Sequence, residues 1–237
     1  MHKKTSVGFT LLELLIVVAI IAILAVIVIL VLDPAETLKR SRDAQRLADL
    51  TSLKNALGVY TTTATGSVII MAGLPTDSPK NALCKGTANQ DTNYDVGTDR
   101  IFYSLPFDKN GVVSTITDGS LDGGPMNAQQ ASQVNNSKVN GSGWLPANIG
   151  SIIGGSPISN LPVDPVNTIA NFGAVADTDF VYRYSCSQYT SRYEIDAQLE
   201  SISFTSDNDL RKQDGGNNDY YYEVGTDLNL LGVLRDF

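Results

Sequence analysis

Histidine is almost missing from this chain of 237 residues: the single one, His2, follows the first methionine. Imidazole is the usual general base near neutral pH and the commonest metal ligand. Its absence from the rest of the chain excludes an interior Ser-His-Asp triad and a His-rich metal centre. Cysteine is nearly as scarce. Cys84 and Cys186 are too few and too far apart for a paired-cysteine zinc cluster or a dense disulfide framework. An oxidising compartment would permit one disulfide between them, and two buried thiols are the equal alternative. No nucleophile elbow, HExxH or phosphate-loop pattern occurs. Charge is sparse at 18% and basic residues are outnumbered 17 to 25, for a net charge of −8. That balance excludes a broad nucleic-acid-binding face. These absences together predict a protein that is not an enzyme and needs no catalytic cofactor.

Long apolar runs are also missing, with one exception. From Phe9 to Leu32 the only charged residue is Glu13. At 1.5 Å per residue this stretch makes a helix roughly 36 Å long, enough for a hydrocarbon core of about 30 Å. In lipid the backbone must satisfy its own polar groups, so the stretch is predicted to be helical despite its many Ile and Val residues. A secretory signal would be shorter and would be followed by a small-residue cleavage site. A plain anchor leaves Glu13 unexplained, because an acid inside a span is costly and marks function by default. Residues 14–32 contain no cation, so the expected partner of Glu13 lies outside this helix.

Lys3-Lys4-Thr5-Ser6-Val7-Gly8-Phe9-Thr10-Leu11-Leu12-Glu13 resembles the N-terminal signal of type IV prepilins and of type II secretion pseudopilins. A basic leader is followed by Gly-Phe, by Glu five residues into the mature chain and by an apolar helix. The resemblance covers about the first sixty residues. It implies that a prepilin peptidase cuts between Gly8 and Phe9, that Phe9 is then N-methylated, and that Glu13 meets the N-terminal ammonium of a neighbouring subunit. It also implies partners: copies of this chain or related pilins, the peptidase and a membrane assembly platform. The head would be exported, first on a single-pass inner or cytoplasmic membrane precursor, then on an extracellular pilus or periplasmic pseudopilus. Removal of residues 1–8 takes away Lys3 and Lys4 and moves the net charge from −8 to −10. One count opposes this orientation: Lys39, Arg40, Arg42 and Arg46 follow the span, which by the positive-inside rule would keep that side cytoplasmic. The more specific signal takes precedence.

Residues 1–8 thus read as a leader, 9–32 as the spanning and filament-core helix, 33–63 as its amphipathic continuation and 64–237 as the head. Pro34 is expected to kink one long helix. Ala35, Leu38, Arg42, Leu47, Leu50, Leu53, Leu57 and Tyr60 approximate a 3–4 spacing and predict the buried face. Glu36 with Arg40 and Lys39 with Asp43 read as i,i+4 pairs on a solvated face.

In the head, Ile101–Leu105 has strand composition. Phe180, Tyr182, Tyr184 and Cys186 alternate with polar residues, and so do Tyr193, Ile195, Ala197 and Leu199. This period of two predicts an antiparallel hairpin with one buried and one wet face, turning at 188–191. Tyr220–Val224 supplies another strand. Val68–Met71 is a further short strand or the end of a loop. Residues 108–143, rich in Gly, Ser, Asn and Asp, read as a surface excursion, with a short polar helix over 127–139 as an option. Trp144–Pro146 and Leu161–Pro165 read as loops anchored by apolar side chains beside prolines. The predicted fold class is α+β, a long N-terminal helix packed against a small antiparallel sheet.

Between the last two strands, Asp207, Asp209, Asp214, Asn217 and Asp219 form an acidic, Gly-containing loop. Calcium takes six to eight oxygen ligands of these types, and major pseudopilins bind calcium in a similar place, so structural calcium is an expectation here, beside the alternative of a solvated turn. Asp91–Asp95 is a second, poorer candidate. The expected function is a structural subunit of a type IV pilus-like filament. The alternatives are a pseudopilin of type II secretion, or a minor tip subunit acting as an adhesin or DNA-capture module.

Overall fold

A computed structural model describes residues 8–63, 101–104, 137–141, 143–168, 178–186 and 192–231. The expectations for Val68–Met71, Cys84, Asp91–Asp95, most of the 108–143 excursion with its 127–139 helix, and the 188–191 turn lie outside the described residues.

Two helices come first, α1 (Leu11–Leu32) and α2 (Pro34–Thr63). The expected single kinked helix is instead interrupted at one residue. Asp33 adopts a left-handed conformation, φ 33° and ψ 77°. This break is also the start of α2: the Asp33 carboxylate accepts from the Glu36 backbone N–H (3.3 Å), and its carbonyl accepts from the Thr37 N–H (3.1 Å). Asp as N-cap with Pro at the first helical position is a favoured start, because proline lacks the one donor that would be orphaned there. Asp33-Pro34 therefore opens a helix as well as ending one.

Four strands form an antiparallel meander in the order β1-β2-β3-β4: β1 (Ile101–Tyr103), β2 (Arg183–Cys186), β3 (Tyr193–Gln198) and β4 (Tyr221–Gly225). The register places Phe102, Tyr184, Ile195 and Val224 in one cross-strand row. With Tyr182, Cys186, Tyr193 and Ala197 this face makes the core against Leu50, Leu53, Ala56, Leu57 and Tyr60 of α2. The α+β architecture with helix on sheet is the one expected. Trp144 and Leu161 close one end of this core. The Trp144 indole donates to the Pro162 carbonyl at 2.9 Å, so the two proline loops anchor each other.

The buried stripe of α2 differs from the expected one. It runs through Asp43, Arg46, Leu50, Leu53, Leu57 and Tyr60, while Leu38 is 60% exposed. Spacings of three and four hold along this true stripe, but its first two members are charged. Arg46 is fully buried. Its guanidinium grips Asp164 with two donors (2.6 and 3.0 Å) and reaches Asp43 (2.7 Å) and Glu200 (2.8 Å). The Phe180 ring lies 4.7 Å from it. Asp43 in turn accepts from the Glu200 and Ser201 backbone N–H groups, and Asp164 from those of Val166 and Asn167. Arg42 adds a two-donor grip on Glu200 (2.6 and 2.7 Å). Burial would raise the Glu200 carboxyl, but the hydrogen bonds from Arg42 and Arg46 outweigh it and hold it below the ordinary carboxylate range. The expected solvated pairs are absent for the same reason: Glu36 accepts from the Ile202 backbone N–H (2.6 Å), and Asp43 faces inward.

The outer face of the sheet also departs from expectation. Arg183, Glu194, Asp196 and Glu223 occupy the polar positions of the alternation, and all are buried instead of wet. The segment after β4 covers them: the Leu230 and Leu231 N–H groups donate to Glu194 at 2.7 and 2.8 Å. Arg183 forms a two-donor pair with Asp196 and lies under the Tyr221 ring, 3.6 Å from its centre.

Removing one partner of a buried ion pair strands the others. Arg46→Ala is expected to lower stability by about 3–5 kcal/mol. Arg192→Ala, which breaks the exposed pair with Asp227, should cost less than about 1 kcal/mol. Denaturant unfolding of the full chain in detergent compares the two.

Candidate functional site: the N-terminal processing and assembly segment

The candidate site begins at Gly8 and continues through α1. Thr10 is extended (φ −76°, ψ 151°) and caps the helix. The Glu13 backbone N–H donates to Thr10 Oγ1 (3.2 Å), while Glu13 Oε2 accepts from the Thr10 N–H and hydroxyl, both at 2.9 Å. This reciprocal arrangement is a capping box, which satisfies donors that a helix start otherwise leaves orphaned. It adds a neutral partner to Glu13 and leaves the expectation of a cation from outside this helix as it was. Thr10-x-x-Glu13 is legible in the sequence as a capping signature. The cap supplies hydrogen bonds but no cation.

Beyond Glu13 the helix is apolar on all sides. Within Leu11–Val28, an 18-residue stretch apolar and long enough to cross a membrane, nothing is buried against the rest of the protein. Phe9 is 86% exposed. Its 22 residues make α1 about 33 Å long. A helix apolar on every side is stable only in lipid or when surrounded by other helices. Asp33 then hands the chain to α2, which the Arg46 cluster fixes in the head.

The remaining predicted site residues lie elsewhere. Cys186 is disulfide-bonded; Cys84, the other cysteine of the sequence, is outside the described residues. The acidic loop is described throughout, and two of its carboxylates are engaged locally. Asp209 pairs with Arg211 (2.8 Å) and Lys212 (3.7 Å). Asp214 accepts the Gly216 and Glu223 N–H groups, both at 2.8 Å. Asp207, Asn217 and Asp219 point into solvent. Among the described residues no group of three or more His, Cys, Asp or Glu is placed to hold a metal ion. Ion pairs and backbone donors thus engage Asp209 and Asp214, and Asp207, Asn217 and Asp219 stay exposed.

Residues 8–29 match the family described as prokaryotic N-terminal methylation motif. This motif is the signature of the prepilin-type signal found in type IV pilins and pseudopilins. The motif supports a type IV pilin-like or pseudopilin protein processed by prepilin peptidase, and with the apolar α1 it fits a membrane-anchored precursor. No curated protein and no solved structure matches it.

The junction between α1 and α2 makes a separate prediction. Asp33→Ala removes the α2 cap and leaves a β-carbon at positive φ, so it should cost about 1 kcal/mol or more. Asp33→Asn keeps an acceptor and tolerates the left-handed region, and should cost a few tenths at most. Thermal unfolding of the full chain in detergent measures both.

Proposed function

We propose that this protein is a subunit of a type IV pilus-like filament. The peptidase cuts between Gly8 and Phe9, Phe9 is N-methylated, and α1 then leaves the bilayer to pack with α1 helices of other subunits. The observation that carries this reading is a fully exposed apolar helix with one carboxylate in its first turn. Cleavage creates a cation at Phe9. Among the described residues Glu13 has donors but no positive charge among its contacts, and the ammonium of an adjoining subunit provides one. A buried pair of this kind sets register better than it adds net stability. The filament's core would be α1 and its surface the head.

Two measurements test this. Mass spectrometry of the native protein should find a mature chain starting at a methylated Phe9; an intact Met1 on protein from assembled filaments refutes the processing step. Gly8→Leu should leave uncleaved precursor in the membrane. Glu13→Ala should insert and be cleaved normally, yet reduce filament yield by an order of magnitude or more, the effect of stranding one partner of a buried pair. Filament imaging with unchanged membrane levels of the variant reads that outcome, and a variant that assembles like the wild type eliminates the role given to Glu13.

A further inference from the structure

Among the described residues the outer face of the sheet carries more acid than its one guanidinium, Arg183, can neutralise. Tyr103, Arg183, Asp196 and Glu223 stand in one cross-strand row, from β1 to β4. Arg183 is paired with Asp196. The next position in the row therefore sets a second carboxylate, Glu223, directly opposite Asp196. Glu194 sits two residues before Asp196 on the same face, diagonal to Glu223, where its own cross-strand partner is Gly225. Like charges opposite each other on a sheet are destabilising, and a buried ionised carboxylate needs compensation.

Each of the two glutamates has one oxygen engaged and one idle. Glu194 Oε2 accepts the Leu230 and Leu231 N–H groups, and Glu223 Oε2 accepts the Asn218 N–H at 3.1 Å. Glu194 Oε1 and Glu223 Oε1 are both buried with no donor in reach. Their carboxyl groups stand diagonal to each other on the same buried face, each with an idle oxygen. Two acceptors so placed can satisfy each other only if one carries a proton.

We propose that Glu194 and Glu223 share a single proton, and that this acid pair is a pH-responsive lock holding segment 226–231 and turn 214–218 on the outer face of the sheet. With the proton in place, one carboxylic acid donates to the other carboxylate and the net charge of the pair is −1. Release of that proton to solvent leaves two adjacent buried carboxylates. Their repulsion is relieved by separating the elements each one holds. Glu194 holds the strap through Leu230 and Leu231, and Glu223 holds the turn, where an added β-carbon on Gly216 would collide with Glu223 Oε2.

The surrounding charges favour retention of the proton. Asp196 from β3 and Asp214 from the turn add negative potential, while Arg183 from β2 is committed to Asp196. Tyr103 from β1 and Tyr221 from β4 lie beside Arg183. Arg211 and Lys212, on the short helical turn packed on β4, are paired with Asp209, and Asp227 of the strap is paired with Arg192. The helix α2 lies across the opposite face. Burial, then the neighbouring Glu194 carboxyl, push Glu223 far above the ordinary carboxylate range, and burial pushes Glu194 up as well. Because the folded values are raised, the stabilisation is complete at acidic pH and is lost as pH rises through them. The pair titrates as a unit.

The test uses the full chain in detergent micelles. Infrared spectroscopy at neutral pH should show the C=O stretch of a protonated buried carboxylic acid, absent from Glu223→Gln. Amide exchange should show the Leu230 and Leu231 N–H groups losing protection by roughly tenfold per pH unit above the titration in the wild type. In Glu223→Gln the side-chain amide donates to Glu194 at every pH, so protection should stay flat. Absence of the acid band at neutral pH overturns the proposal, as does pH-independent protection in the wild type. Added calcium that removes the band while raising protection would make the pair a cation site and also overturn it. If Glu223→Gln does not fold, the wild-type infrared titration alone decides.

Discussion

The guanidinium of Arg46 is the joint on which this molecule depends. It stands on α2, where a leucine would continue the apolar stripe, and it ties that helix to the loop at Asp164 and to the strand exit at Glu200. Three elements far apart in sequence are held through one planar cation. The geometry is satisfied on both sides, since Asp43 and Asp164 also accept backbone N–H groups. A half-satisfied version would be worse than an apolar core. The same cluster gives two of the four basic residues after the span a role in the fold: Arg42 and Arg46 are bound to head carboxylates.

From this joint the two halves of the chain take opposite physical characters. The head buries its aromatic face against α2 and closes its ionic face under the segment after β4. Over Leu11–Val28 the helix α1 buries nothing in the isolated chain. Its apolar surface is unsatisfied in water, and only lipid or other helices can cover it. Asp33 separates these regimes within a single residue, ending a helix suited to lipid and capping one suited to a folded head. Under the proposed function, passage from bilayer to filament, such a division is what the chain needs. The covering of α1 can then change without disturbing the core of the head.

The acid face of the sheet shows how burial turns ordinary residues into special ones. In water, Glu194, Asp196 and Glu223 would be three unremarkable carboxylates on an alternating strand. Under the strap and turn they become mutually dependent with Arg183 and with backbone donors. The alternation of β3 places Tyr193, Ile195 and Ala197 in the core, as period two predicts. What the alternation could not tell is that a later segment of the same chain would cover the polar side.

The sequence by itself determined the features that arise from local chemistry: an apolar run long enough to span a membrane, its one acid near the start, the prepilin-type signal, and strands with alternating pattern. These depend on residues close together, so periodicity and spacing carry them. It also contained the Thr10-Glu13 box and the Asp33-Pro34 start, which are local and were available to a closer reading. Only the tertiary structure decided that Asp43 and Arg46 continue the buried stripe, that Asp209 and Asp214 of the acidic loop take ion-pair and backbone partners, and that the acids on the outer face of the sheet are buried. A charged residue at a helical core position looks identical to a solvated one until its partners arrive. Those partners, Asp164 and Glu200, lie more than a hundred residues further along the chain, and no local pattern encodes that meeting.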